Sequence, residues 1–253
     1  MGNAVSGKEI GWKYGITWFL ISNPLVYLLI GFTGTALLIF YFIKKPVSYL
    51  TDKSKRNNLL YIGFFACPLL VTILAHSELY DAWRHLYFIY PSFIMLGIFG
   101  LHELFKTKAE KAIIAVIFIS TGLVAYFMVS NFPFETVYFN ELVRSKEPEY
   151  LKKRFDLDYW GISYRQGMEY VLKTNKAAKI NIIGYSNSPV FYNSLVLKPE
   201  DRERIQNVQD TAIADYFFTN YRNHPQDFSY PDSKICYSIK ILNSSVLTIY
   251  KLK

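Results

Sequence analysis

Between Tyr14 and Ile43 the chain runs for 30 residues without a single charge. The apolar face of a soluble helix is broken by polar positions every turn. This run is not broken, and it exceeds the roughly 20 residues that an α-helix needs to cross the hydrocarbon core of a bilayer. Pro24, preceded by Ser22 and Asn23, divides it. The division predicts a short interfacial segment over 12–22 and a first span over 24–43. Three further apolar runs follow, over 58–76, 86–105 and 112–130, the last being AIIAVIFISTGLVAYFMVS. Pro68 lies inside the second, where a proline is tolerated in a membrane helix if neighbours satisfy the freed carbonyl. The membrane part is therefore expected over 1–131. Apolar residues make up 51% of the chain and charged ones 19%, below the roughly 25% of a soluble domain. A single soluble globule, a disordered chain and a disulfide scaffold are excluded. The first run is too long, and lacks the small-residue cleavage site, for a secretory signal peptide.

The loops give a direction. Residues 44–57 hold Lys44, Lys45, Lys53, Lys55 and Arg56 against Asp52, and 102–111 hold Lys106, Lys108 and Lys111. The intervening loop, 77–85, has Arg84 against Glu78 and Asp81. Basic loops stay in the cytoplasm, so both termini are expected outside it. Much of the formal charge of +8 is then a topology signal, and nucleic acid is not an expected partner. Cys67 falls in a span and Cys236 in the tail, so no disulfide is expected between them.

Residues 132–253 have the balance of a soluble domain, with 17 Lys plus Arg and 14 Asp plus Glu. In 132–162 Tyr, Phe and Trp alternate with charges, which suits a linker lying along a membrane surface. From 163 a small α/β domain is expected. SYRQGMEYVLKT has Tyr164, Met168, Val171 and Leu172 at helical spacing, with Ser163 as cap. KINIIGY, 179–185, reads as a buried strand, a short helix follows over 188–196, and 214–221 is a further strand. The last run, 235–251, reads as a hairpin joined at Asn243-Ser244-Ser245. The expected class is a mostly α-helical polytopic membrane protein of about four spans, followed by a small α/β extracytoplasmic domain.

Two clusters could carry chemistry. The first is Tyr80-Asp81-Ala82-Trp83-Arg84-His85, just before the third span. An Arg offers a planar fork of donors suited to phosphate oxygens, and a His supplies a further hydrogen bond or a proton near neutral pH. Arg84 and Trp83 equally suit the role of interface anchors. The second is Asp156, Asp158, Tyr159 and Trp160, read either as a carboxylate pair for acid-base or metal work or as a capping and anchoring segment. None of His76, His85, His102 and His224 is paired at metal-ligand spacing, and no phosphate loop, GxGxxG or GxSxG is present. Neither a metal nor a cofactor is expected.

GKEIGWKYGITWFLISNPLVYLL resembles the segment leading into a late span of bacterial family 39-like glycosyltransferases, of the C-type superfamily. Trp12, Tyr14 and Pro24 carry that likeness. YDAWRHLYFIYPSFIMLGIFGL is similar to the family's outside turn through Arg84, His85, Phe88 and Pro91. FPFETVYFNELV and DYWGISYRQGMEYV resemble the exported region through Phe139, Asn140 and Asp158 to Gly161. The resemblance implies transfer of a sugar from a polyprenyl-phosphate donor outside a bacterial cytoplasmic membrane. Arg84 would contact the donor phosphate with His85 in support. Tyr80, Asp81 and Trp83 would shape the loop, and Asp158, Tyr159 and Trp160 would dock the tail onto the membrane part. The family's catalytic carboxylate lies in a first outside loop that has no counterpart here. The resemblance thus implies the carboxy-terminal part of such an enzyme, inactive alone: a gene fragment, a truncated reading frame, or half of a split protein whose partner is the amino-terminal half. The alternative is a non-catalytic four-span anchor that presents an α/β binding domain.

Overall fold

The computed structural model describes residues 11–79, 82–144, 147–185 and 190–253. The described chain forms two compact units. One holds 11–130 with 139–143, and the other 131–138 with 144 and 147–253.

The first unit is helical. Helix α1 (Lys13–Ile21) precedes Pro24, and α2 (Leu25–Lys44) follows it. Pro46 opens the short α3 (Pro46–Thr51), and α4 covers Lys53–Leu74. A 3-10 turn over Arg84–Ile89 runs into α5 (Tyr90–Leu104), and α6 covers Glu110–Ser130. Among the described residues, four segments are long and apolar enough to cross a membrane: Leu25–Lys44, Lys53–Leu74, Arg84–Leu104 and Glu110–Ser130. The second begins at 53 rather than 58. The Asp52 carboxylate accepts from the N–H groups of Ser54 (2.9 Å) and Lys55 (3.1 Å), so the helix starts under its own cap. The fourth begins at Glu110 rather than 112, which places an acid in its first turn, where the helix dipole favours it. Pro68 sits inside α4 without ending it.

Small residues set the main crossing. A Cβ on Gly31 would overlap the ring of Phe93, and one on Gly34 would overlap the carbonyl oxygen of Leu96. A Cβ on Gly100 would stand 2.7 Å from Gly34 Cα. Helices α2 and α5 therefore touch backbone to backbone, the arrangement that small residues permit between membrane helices. Phe93, 1% exposed, fills the space above that contact. Its ring meets Phe19 of α1 (5.0 Å), Phe32 of α2 (5.3 Å) and Phe65 of α4 (5.0 Å). The hydroxyl of Tyr27 on α2 lies 2.9 Å from that of Thr121 on α6. At the end of α1 the buried Asn140 supplies what the helix lacks. Its N–H donates to the Ile21 carbonyl (2.8 Å), and its side-chain amide donates to those of Leu20 (2.6 Å) and Asn23 (2.7 Å). Carbonyls at a helix end have no intrahelical donor, so this one side chain closes the turn before Pro24.

A turn of helix, α7 (Glu141–Arg144), falls where the chain passes between the units. The second unit holds α8 (Tyr150–Arg154), α9 (Ile162–Thr174), α10 (Val190–Ser194) and α11 (Pro199–Arg202). Its strands are β1 (Ile180–Gly184), β2 (Ile205–Asn207), β3 (Tyr216–Thr219), β4 (Ile235–Ile241) and β5 (Ser244–Lys251). They form one sheet in the order β2-β1-β3-β5-β4. β1 pairs in parallel with β2 and β3, and β5 runs antiparallel to β3 and β4. Helix α9 packs Tyr164, Met168, Val171 and Leu172 against Ile180, Ile182, Phe218, Leu247 and Ile249. A Cβ on Gly167 would come within 2.9 Å of Leu247, Ile249 and Phe218, so this glycine is what lets the helix lie so close to the sheet.

Three local expectations are corrected here. Ser163 is not the cap of α9. The cap position is Gly161, in the left-handed region at φ 67°, and the Asp158 carboxylate accepts from the N–H groups of Ile162 (2.9 Å) and Ser163 (3.2 Å). The hairpin turns at Leu242 and Asn243, both at positive φ, as a two-residue connection requires. Ser244 and Ser245 belong to β5 and are buried. The short helix over 188–196 is α10 alone, Val190–Ser194, its first two expected residues lying outside the described ones.

Candidate functional site

The turn ahead of the third apolar helix is built on α1. Trp83, 6% exposed, donates from Nε1 to Ser22 Oγ at 2.7 Å. Its ring stands edge-on to Phe19 (5.2 Å) and Tyr87 (4.7 Å). The Tyr14 hydroxyl accepts from the Ala82 N–H at 3.1 Å, at a residue held at φ 60°. Leu79 and Leu86 close over Gly15, to within 3.4 Å of where its Cβ would be. Arg84 and His85 follow directly, Arg84 half-buried and His85 exposed. Tyr80 and Asp81 lie outside the described residues. The turn is thus rigid at Trp83 and presents a cation and an imidazole where an apolar span begins.

A shallow groove opens beside it, between α1 and the end of α4. Gly11, Trp12, Ile16, Thr72, His76 and Ser77 line it. His76 is exposed, at φ 47°, and was not singled out by sequence reasoning. Its groove partners sit about 60 positions earlier, so no spacing rule could have found it.

The lysine-rich ends lie at the other end of these helices. Tyr41 donates to Glu103 at 3.1 Å, and Lys106 pairs with the same carboxylate at 2.6 Å. The acid that ends α5 is thereby neutralised.

In the second unit the residues around Asp158 work together. Besides the two backbone N–H groups, the Asp158 carboxylate accepts the Ser163 hydroxyl. Burial pushes its carboxyl above the ordinary range, against the opposing pull of the hydrogen bonds from Ser163 and Ile162. Asn220 donates to the Asp158 carbonyl at 2.8 Å, and Arg222 donates to that of Tyr159 at 2.6 Å. The Arg222 guanidinium lies 3.7 Å from the centre of the Tyr159 ring and its Nε is 3.4 Å from Asp156. Asp156 and Asp158 therefore face different partners. One pairs with Arg222 and the other caps α9, and they do not converge on a common point. Tyr159 and Trp160 stack edge-on at 5.0 Å, and Trp160 projects outward at 64% exposed. Among the described residues, no three His, Cys, Asp or Glu side chains gather as metal ligands would.

Sequence reasoning also missed a buried lysine. Lys152, 4% exposed, donates to Asp227 at 2.6 Å and lies 4.1 Å from the centre of the Tyr221 ring. Beside it Glu149 accepts from the N–H and hydroxyl of Ser245, both at 2.8 Å. This group clasps α8 to the hairpin. Its partners lie 75 and 96 positions away, and only folding brings them together.

No family model, curated protein or solved structure matches the chain.

Proposed function

We propose that the protein is a multi-pass component of a bacterial cytoplasmic membrane that binds a polyprenyl-phosphate sugar at its extracytoplasmic face and takes part in transferring that sugar. The observation that carries the reading is the place of Arg84. It opens an apolar span, on a turn pinned by Trp83, at the end of the helices away from Lys44, Lys45, Lys106 and Lys108. A lipid phosphate resides at that depth, and a guanidinium fork fits two of its oxygens. In a transfer, the acceptor hydroxyl oxygen attacks the anomeric carbon, its proton passes to solvent, and the phosphate leaves with the electron pair of the broken bond. Arg84 would hold the phosphate before and after, and His85 would add a hydrogen bond. The likeness of the 80–101 segment to the family's outside turn supplies the chemistry. No residue of this chain is assigned as the base.

The orientation belongs to the same proposal. Lysine-rich loops stay in the cytoplasm, and by that rule Arg84 and the α/β unit would lie outside.

The test is binding of a polyprenyl-phosphate probe to the full chain in vesicles. Arg84→Ala should weaken it about tenfold or more, since a hydrogen bond to a charged group contributes about 1.5–3 kcal/mol. Arg84→Lys, which keeps the charge without the fork, should fall between. Lys55→Ala, at the other end, should bind as the parent does. Equal binding by the parent and Arg84→Ala would sink the reading.

A second reading, a four-span anchor presenting the α/β unit for binding, is favoured by the exposed aromatic residues Trp160, Phe191 and Tyr192 of that unit. It requires no effect of Arg84→Ala on the probe.

A further inference from the structure

The α/β unit has an apolar end. In the parallel part of the sheet, β1 and β3 finish at Gly184 and Thr219. Helix α9 runs into the loop before β1, so its first turn lies over that same end. Two contacts place it there: Tyr164 donates to the Phe218 carbonyl at 3.3 Å, and the Tyr185 N–H donates to the same oxygen at 3.0 Å. Five large apolar residues are exposed here: Trp160 (64%), just before α9, and Phe191 (54%), Tyr192 (64%), Leu195 (46%) and Val196 (59%) on α10 and just after it. Tyr185 turns to the other face of the sheet, against Phe217, His224 and Phe228.

Helix α10 shows how the arrangement departs from that of an ordinary surface helix. Val190 and Ser194 turn inward and are buried, Val190 onto Tyr164 beside Gly184. The outward positions carry Phe191 and Tyr192, and Leu195 and Val196 continue the apolar surface past its end. A surface helix normally places polar residues there. With about 200 Å² per aromatic side chain, the three exposed rings Trp160, Phe191 and Tyr192 alone present on the order of 350 Å². Exposed apolar surface on that scale points to an interaction site. At the opposite end of β1 the exposed residues are Lys173, Thr174, Lys176, Ala177, Ala178 and Lys179, so the asymmetry lies along the strands.

We infer that the carboxyl end of this sheet docks into the membrane interface, with the α10 face and Trp160 seated among lipid headgroups. Three observations select lipid over a protein partner. The unit starts at Asn131, immediately after the last residue of an apolar helix long enough to span, so a bilayer is at hand at high effective concentration. The exposed rings are Trp, Tyr and Phe, and Trp and Tyr are the residues that settle at headgroup level. Exposed Lys153, Arg154 and Arg165 lie within seven positions of Trp160 in the chain, Arg165 paired with Glu169 at 2.9 Å, as cations accompany an interfacial anchor.

The experiment uses the full chain in vesicles, with Cys67→Ser and Cys236→Ser as background. Single cysteines at Tyr192, at Val196 and at Ala178 carry an environment-sensitive fluorophore. Lipid-attached and water-soluble quenchers are then compared. Labels at 192 and 196 should be quenched by the lipid-attached quencher and protected several-fold from iodide, relative to the label at 178. Labels at 192 and 196 as open to iodide as the one at 178 would overturn the proposal. So would shielding from both quenchers, which would point to a protein partner or a second copy. The readout does not depend on Arg84, so this proposal and the phosphate reading stand or fall separately.

Discussion

The backbone contact between α2 and α5 can be tested by adding single methyl groups. In Gly100→Ala the new Cβ would lie 2.7 Å from Gly34 Cα and 2.8 Å from Gly34 N. Carbon atoms rest at about 3.5–4.0 Å, so the shortfall is roughly 1 Å. The obstacle is backbone, which cannot rotate aside, and the two helices must part or tilt. Overpacking of this kind costs about 1–3 kcal/mol. Alanine returns up to about 1 kcal/mol in helix propensity over glycine, which leaves a net loss of up to about 2 kcal/mol. Gly34→Ala should lose more, because its methyl overlaps the Leu96 carbonyl oxygen. Gly97→Ala meets Ile30 Cγ2 at 3.4 Å, an ordinary contact, and should be close to neutral. Gly63→Ala and Gly122→Ala have nothing within 4 Å and should be neutral or slightly stabilising. Reversible denaturation by dodecyl sulfate in mixed micelles, followed by circular dichroism, ranks the five. If Gly100→Ala proves as stable as Gly97→Ala, the helices do not meet at Gly34 and Gly100.

Two further outcomes follow from the hydrogen bonds. Trp83→Phe keeps the ring contacts with Phe19 and Tyr87 and removes the bond to Ser22. It should cost about 1 kcal/mol, and a double-mutant cycle with Ser22→Ala should return a coupling of similar size. A coupling near zero would show that the turn is not held by that bond. Asp158 gives a pH dependence of unusual sign for a carboxylate. Its pKa is raised on folding, so the folded state holds the proton more tightly than the unfolded one. Its contribution is most favourable below the ordinary value of 3.8 and declines as pH rises from there through the raised folded value. Denaturation from about pH 4 to about pH 7 should show the stability of the parent relative to Asp158→Asn falling across that window. A rise instead would mean that the hydrogen bonds from Ile162 and Ser163 outweigh burial.

The spans were legible because a bilayer demands long apolar runs and nothing else in the chain has them. Their starts were less so. Lys53, Lys55 and Arg56 read as loop, yet Asp52 caps a helix through them, and long basic side chains reach water from a helical turn. In the tail, α9, β1, β3 and the hairpin follow from periodicity and from runs of β-branched and aromatic residues. β2 does not. Ile205-Gln206-Asn207 is three residues without alternation, and only the parallel neighbour β1 makes it a strand. The candidate residues were visible as types. Their roles were not, because those depend on distant partners. Asp158 needs Ser163 and Asn220 to become a cap and a clamp, and Arg222 lies 63 positions from the carbonyl it binds.

The exposed apolar surface also divides by residue type, and the division bears on function. On α4 and α6 the exposed residues are mainly aliphatic, with Leu70, Val71, Leu74, Val116, Ile119, Leu123 and Val129 among them. Such surface suits hydrocarbon. The exposed tryptophans are Trp12, just before α1, and Trp160, at the carboxyl end of the sheet. The other two, Trp18 and Trp83, are drawn into the packing of α1 and the Arg84 turn. No tryptophan lies in the middle of a span. A ring with an apolar body and an N–H suits the boundary of a bilayer, and in the first unit Trp12, Trp18 and Trp83 gather at the end away from Lys44 and Lys106, a signal independent of the lysine count.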